Sequence, residues 1–137
     1  MSVLAGKYCV EAAAEICRDL GYGVYVPPRE TCGPVDMEVN GRKVQVNYRS
    51  RCVSNYNRVR LKTYLRPSVG TYSPEDVDVV VICIEGSWYV IPTNVMPTVG
   101  GRIRNALHMP DFAEWIDRWC VFDVGKVLYS MQKSFDF

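Results

Sequence analysis

Apolar and polar residues alternate with period two in two neighbouring segments, 35–39 and 44–48. Such alternation predicts β-strands that bury one face. Between the two segments stand Asn40 and Gly41, a pair typical of a type I′ turn, in which both central residues need positive φ. The pattern therefore predicts an antiparallel hairpin.

Further patterns predict the other helices and strands. Apolar residues at helical spacing predict an amphipathic helix over 5–20. The continuously apolar run 78–84 predicts a strand covered on both faces, and 88–91 predicts the next strand. Alternation over 53–65 predicts another strand, and a capping-box pattern predicts a second helix over 111–119. This order predicts the α/β class, with a central mixed β-sheet flanked by helices.

Length and composition restrict the number of domains, the kinds of partner and the cellular location. The 137 residues predict one domain, 1–137, and a net charge of +1 means that an anionic partner must be met by a local basic patch. With no long apolar run and a charged N-terminal segment, we expect no membrane association and an intracellular location in a prokaryotic cytoplasm. Six scattered cysteines and one histidine do not predict a zinc site. Buried free thiols are favoured, and one or two disulfides, which would indicate a thermophilic source, remain the alternative.

Candidate chemistry lies in the hairpin. Period-two alternation places Asp36 on one face of the first strand and four polar residues on one face of the second, namely Lys43, Gln45, Asn47 and Arg49. If these faces coincide, Asp36 lies across from Gln45 and Asn47. Carboxylate and carbonyl oxygens are the ligands that Mg²⁺ prefers, and the ion activates water and offsets phosphate charge. An exposed hairpin aspartate is the competing interpretation.

Several positions carry a resemblance to a known family. They are Gly6 and Glu11 in the first helix, Gly21 and Tyr22 after it, and segments 33–36, 44–46, 76–78 and 88–92. Over about residues 6–95 the chain resembles PD-(D/E)XK nucleases, and more narrowly the small group that includes cyanobacterial intron homing endonucleases and Holliday-junction resolvases. The resemblance implies a restriction-endonuclease-like fold and an active site in which Glu11 and Asp36 hold Mg²⁺ or Mn²⁺. Gln45 takes the third motif position, as metal ligand or water holder.

The sequence departs from that motif at its last position, where Asn47 replaces the lysine. A neutral amide holds water or a phosphate oxygen but lacks the electrostatic stabilisation of an ammonium group, typically a few kcal/mol. Lys43, Lys62 and Lys7 are candidates for a relocated lysine. The other interpretation is a scaffold that binds DNA without cutting it.

Basic residues follow the hairpin and recur in a glycine-containing loop. Those predicted to contact DNA phosphates are Arg49, Arg51, Arg58, Arg60, Lys62, Arg102 and Arg104. A solvated strand face and an ordinary surface loop are the competing interpretations.

The leading hypothesis is an Mg²⁺-dependent endodeoxyribonuclease that, as the resemblance implies, acts on DNA as a homo-oligomer, a dimer or tetramer. The second is a catalytically inactive DNA-binding or assembly protein of a mobile element or virus on the same scaffold. The third is an unrelated structural protein with no site.

Overall fold

A computed structural model describes residues 3–28, 35–49, 58–60, 73–104 and 106–123. The helix α1 spans Val3–Asp19. The strands are β1 Val24–Tyr25, β2 Met37–Val39, β3 Arg42–Arg49, β4 Arg58–Arg60, β5 Val79–Ile84, β6 Ser87–Pro92, β7 Thr98–Val99, β8 Arg102–Ile103 and β9 Ala106–His108. Three 3₁₀ segments span Thr93–Val95, Met109–Trp115 and Trp119–Phe122.

The central sheet has five strands in the order β1-β2-β3-β5-β6. β3 and β5 are parallel, whereas the other neighbours are antiparallel, so the sheet is mixed. This confirms the predicted α/β class and the central mixed sheet.

The hairpin prediction is also confirmed. β2 pairs with β3 in antiparallel register, with Val39 opposite Arg42. Asn40 and Gly41 have φ of 50° and 80°, as a type I′ turn requires. The register places the hairpin's polar residues at the centre of the sheet, because β3 is the middle strand.

The two faces of the sheet bury separate clusters. On one face, small residues of α1, among them Ala13 and Ala14, pack against Val44 and Val46 of β3. On the other face, Val80 and Ile82 of β5 join a second cluster that includes Leu107 and Phe112. β5 is therefore covered on both sides, as its continuously apolar sequence predicts.

The helix predicted over 111–119 is wrong. The chain forms a 3₁₀ segment that is broken at Phe112, where φ is −114° and ψ is 17°. Ile116 then forms a bridge with Tyr89, and the Asp117 N–H donates to Trp88 O at 2.7 Å. These bonds to the edge strand β6 replace the i to i−4 bonds that a continued helix would make, so tertiary pairing overrides the helical pattern.

Two other segments differ from the sequence-based expectation. Of the strand predicted over 53–65, only β4 lies within the described residues, and it pairs with β9 in a separate two-stranded sheet. The loop expected around Gly100 and Gly101 is a short hairpin of β7 and β8, with φ of 60° and 79° at the two glycines. In the described part of the chain, no helix is long and apolar enough to cross a membrane.

Candidate functional site

Asp36 lies where β2 diverges from β3. Met37 is the ladder partner of Val44, and the Asp36 N–H also donates to Val44 O at 2.8 Å. Two successive residues therefore oppose one, which is the arrangement of a β-bulge, a feature that re-aims side chains and recurs beside active sites. The Asp36 carboxylate turns to the β3 backbone, where Oδ2 accepts the Val46 N–H at 2.8 Å.

Gln45 and Asn47 form a buried amide pair on β3. Both side chains are inaccessible to solvent, and the Asn47 Nδ2 donates to Gln45 Oε1 at 3.0 Å. Alternation places them on the face away from α1, beside Val80 and Ile82 of β5. Gln45 Nε2 is buried and has no hydrogen-bond partner among the described residues. An orphaned buried donor costs about 1–3 kcal/mol, so this position is not optimised for stability.

Two cations flank the amide pair on the same strand. Lys43 directs its Nζ to Glu75 O at 3.4 Å, and its backbone N–H donates to Asp78 Oδ2 at 2.8 Å. Arg49, at the other end, is half-buried and donates from Nη1 to Tyr48 O at 2.7 Å. Burial lowers the pKa of the Arg49 guanidinium from its usual value. By alternation, Arg49 lies on the face that carries Gln45 and Asn47.

Glu11 lies on the outer side of α1. Its side chain is exposed, whereas Ala13, Ala14 and Cys17 form the stripe that packs on the sheet. At 3.6 residues per turn, Glu11 points away from that stripe. The structure places the Asp36 carboxylate at the Val46 N–H, near Cys9 on the α1 side, and the Gln45 and Asn47 side chains on the opposite face of β3. It leaves Glu11 on the solvent side of the helix. The metal-ligand role of Glu11 stays a prediction.

The predicted DNA-contacting residues are distributed as follows. Arg102 is half-buried in β8 and Arg104 is exposed just after it. Arg58 and Arg60 lie in β4. Arg51 and Lys62 lie outside the described residues, and nothing is described of the Lys7 side chain.

Two thiols on the α1 side of the sheet lie near Asp36. Cys9 of α1 and Cys83 of β5 belong to the same apolar cluster. Burial, with contributions from Cys83 and from the negative charge of Asp36, raises the pKa of Cys9 to about 12. Sequence reasoning missed this proximity, because the two cysteines come together only when α1 packs on β5. Within the described residues, Cys9, Cys17, Cys83 and Cys120 are free, which agrees with the favoured thiol interpretation, although Cys120 is exposed.

A cleft of about 720 Å³ lies elsewhere, between residues 94–97, the strand β9 and the 3₁₀ segment Met109–Trp115. It is lined by residues that include Arg104, His108 and Asp111. The His108 Nδ1 lies 3.3 Å from Asp111 Oδ1, and both residues are exposed. None of the lining residues belongs to β2 or β3, so the cleft and the hairpin site are separate.

The hairpin offers hard oxygen atoms as donors for a metal ion. Within the ranges that the structure describes, no three His, Cys, Asp or Glu side chains group as metal ligands. The donor set at the hairpin is one carboxylate and two amides, supplemented by backbone carbonyls. Such a set fits Mg²⁺, which takes one or two carboxylates and keeps several waters, and does not fit zinc.

The described elements define an α/β protein with a mixed five-stranded sheet, which has the long helix and the 3₁₀ segment Trp119–Phe122 on one face and the 3₁₀ segment Met109–Trp115 on the other. This is a nuclease-like fold. It is similar to the solved structure of a bacterial homing endonuclease, I-Ssp6803I, with a TM-score of 0.60 and 18% sequence identity over 98% of this chain and 97% of that chain. No family profile and no curated protein matches the sequence. The likeness confirms the predicted fold class, while membership of the PD-(D/E)XK family stays a prediction.

Proposed function

We propose that the protein is a DNA endonuclease that hydrolyses phosphodiester bonds with Mg²⁺ or Mn²⁺ and acts as a homo-oligomer, a dimer or tetramer. One observation carries the proposal: a β-bulge directs the Asp36 carboxylate to the backbone of β3 directly beside Gln45, in a sheet whose fold is similar to that of a homing endonuclease. The bulge breaks a backbone hydrogen bond between β2 and β3. A functional role of the Asp36 carboxylate would explain why the bulge is present.

The residues present offer oxygen donors of the kind that a divalent cation takes. Asp36 Oδ2 accepts the Val46 N–H, but a carboxylate offers about four acceptor positions, so metal ligation is compatible with that bond. Rotating both the Gln45 and the Asn47 amide by 180° exchanges the nitrogen and oxygen of each. Gln45 then donates to Asn47, so their mutual hydrogen bond is kept. The orphaned Nε2 is then replaced by a carbonyl oxygen, which is a ligand for Mg²⁺. When bound, the ion would activate water and offset charge on the phosphate.

Arg49 supplies the positive charge that Asn47 lacks. Both Arg49 and Lys43 are half-buried on the same face of β3, but the Lys43 ammonium lies against Glu75 O. Interaction with a phosphate is stronger for a partly desolvated charge than for a solvated one. A guanidinium has five donors in a planar fork, a geometry that matches phosphate oxygens.

A second candidate function is DNA binding without cleavage. Two observations favour it. Asn47, which stands where the family motif has a lysine, is paired with the buried amide of Gln45, and the Lys43 ammonium lies against Glu75 O. Contacts of Arg102 and Arg104 with phosphates would serve either function.

Cleavage of plasmid and branched DNA separates the two candidates. We expect wild-type protein to nick DNA with Mg²⁺ or Mn²⁺ and not with EDTA. Asp36→Asn keeps an acceptor for the Val46 N–H but loses the charge, so cleavage should fall by about 100-fold or more, the scale for one preorganised group. Arg49→Ala should also lose cleavage.

The matched control is Glu38→Gln, which removes a carboxylate from the same strand two residues further on and should keep full cleavage. Binding is measured in parallel at increasing salt, because phosphate contacts make affinity fall with salt. Salt-sensitive binding without cleavage by wild-type protein would support the second candidate. The absence of both binding and cleavage would contradict both candidates.

A further inference from the structure

The cleft of about 720 Å³ combines an apolar floor with a polar rim. Met96, Leu107 and Phe112 line the cleft and are buried in the second apolar cluster, so they form its floor. Asn94 and Arg104 also line it, and both are exposed, so they form part of its rim. The volume lies within about 300–1,000 Å³, the usual size of a pocket for a small ligand. The cleft is therefore large enough for one small organic group.

Hydrogen bonds of the fold hold the walls of the cleft in place. Thr93 Oγ1 donates to Val77 O at 2.7 Å, which fastens the start of the wall formed by residues 94–97. The Arg104 N–H donates to Pro97 O at 2.9 Å and joins the two ends of the β7–β8 hairpin. The opposite wall is β9, which pairs with β4. Segments that are fixed elsewhere in the fold thus shape the cleft.

The polar side chains of the rim differ in whether they already have partners. His108 Nδ1 lies 3.3 Å from Asp111 Oδ1, so these two groups engage each other. The Arg104 guanidinium and the Asn94 amide have no hydrogen-bond or ion-pair partner in the described part of the chain. The rim therefore offers one positive charge and one neutral amide to a ligand.

This combination suits a flat ligand that carries one anionic group. The Phe112 ring and the Met96 thioether favour contact with the face of a planar group. The Asn94 amide both donates and accepts, as a side chain that pairs with the edge of a nucleobase must do. The Arg104 guanidinium matches the oxygens of a phosphate. A nucleotide has all three features in one molecule.

We propose that the cleft takes up one unpaired nucleotide of DNA, with the base over the floor beside Asn94 and the phosphate at Arg104. A polynucleotide is favoured over a free nucleotide because the strand paired with β9 is β4, which contains two arginines. A base inside a duplex cannot enter a pocket, so the ligand is a bulge, a flap or a single strand. This role rests on the DNA binding that both proposed functions share, but it needs neither cleavage nor a metal ion.

The test measures DNA binding by fluorescence anisotropy with EDTA present, so that no metal-dependent cleavage occurs. The labelled probes are a fully paired duplex, the same duplex with one unpaired adenosine, and the same bulge with an abasic residue. The abasic probe keeps the altered backbone of the bulge, so the comparison isolates the base. We expect the unpaired adenosine to be bound about 10-fold more tightly than either other probe, the scale for one stacked base.

Two variants test whether the base lies in the cleft. Ala106→Phe fills the cleft from β9, where Ala106 is half-buried, and should remove the preference for the unpaired adenosine. Arg104→Ala should reduce that preference, because the phosphate reaches Arg104 only when the base is inserted. Arg118→Ala is the matched control and should keep the full preference, because it removes an exposed arginine that lies over Trp115 and does not line the cleft.

The outcomes separate this role from the proposed nuclease activity. Equal affinity of the wild type for all probes would overturn the role of the cleft and leave the nuclease proposal standing. A preference for the unpaired adenosine without any cleavage would support the cleft and leave only the second candidate function. A preference that survives both Ala106→Phe and Arg104→Ala would overturn the proposal, because the base would then bind elsewhere.

One further result would assign the cleft to a different occupant. If Ala106→Phe loses self-association in sedimentation but keeps the DNA preference, the cleft is a contact between copies of the chain and the proposal is overturned. If Ala106→Phe does not fold, the comparison of Arg104→Ala with Arg118→Ala decides.

Discussion

At the scale of single residues, the centre of the sheet carries a polar pair that stability does not explain. Gln45 and Asn47 lie on the middle strand among apolar neighbours, with one donor orphaned. Positions of this kind in the core of a sheet are normally apolar. The pair is therefore best explained by function, and it leads to a prediction about stability.

Replacing Gln45 by leucine should leave stability nearly unchanged. Gln45→Leu takes the Gln45 acceptor away from the buried Asn47 Nδ2, which costs about 1–3 kcal/mol, but it also removes the orphaned Nε2, which costs a similar amount in the wild type, and buries apolar surface. The free energy of unfolding in urea should change by no more than about 1 kcal/mol.

The matched control lies on the same face of the sheet. Ile82→Ala, at the ladder partner of Asn47, should cost about 2–5 kcal/mol because it opens a cavity. A loss at Gln45→Leu as large as that at Ile82→Ala would show that the amide is a structural group, against our interpretation.

At the scale of elements, side-chain bonds of the turn stabilise the β2–β3 hairpin in addition to the backbone bonds between its strands. Asn40 accepts the Gly23 N–H through Oδ1 at 2.9 Å and donates from Nδ2 to Phe122 O at 2.7 Å. One turn side chain thus joins the segment before β1 to the 3₁₀ segment near residue 122. The hairpin that carries Asp36 and Gln45 is positioned partly by these two bonds.

Asn40→Gly tests that role without straining the turn. Glycine suits the positive φ of 50° at this position but loses both side-chain bonds, so the free energy of unfolding should fall by about 2 kcal/mol. Glu85→Gly is the control, because Glu85 has φ of 52° at the equivalent position of the β5–β6 turn and is exposed.

Glycine adopts positive φ without the steric strain of a side chain, so Glu85→Gly should be at least as stable as the wild type. Urea unfolding measures both variants. Equal effects of the two substitutions would mean that the Asn40 bonds do not stabilise the fold.

At the scale of the whole molecule, local patterns predicted most of the sheet. The period-two hairpin with its Asn-Gly turn, the doubly buried β5 and the amphipathic α1 all follow from neighbouring residues, and the structure contains each of them. Such features are local, so a single sequence is enough to predict them.

Features that depend on distant contacts were not predictable in the same way. The bulge at Asp36 depends on a carboxylate that replaces a ladder bond, and the segment near 111–119 follows bonds to β6 instead of its own helical pattern. Simple alternation placed Asp36 opposite Gln45 and Asn47, but it could not show that the carboxylate turns to the Val46 N–H.

The central claim is that Asp36 and Gln45 hold a divalent cation between β2 and β3. Its most direct test is Mn²⁺ binding followed by electron paramagnetic resonance, with uncleavable DNA present, in wild type, Asp36→Asn and Glu38→Gln. We predict one bound ion per chain in wild type and in Glu38→Gln, and at least a 10-fold weaker site in Asp36→Asn, as expected when a metal ligand is lost. Equal binding by all three proteins, or no binding by wild type, would contradict the claim.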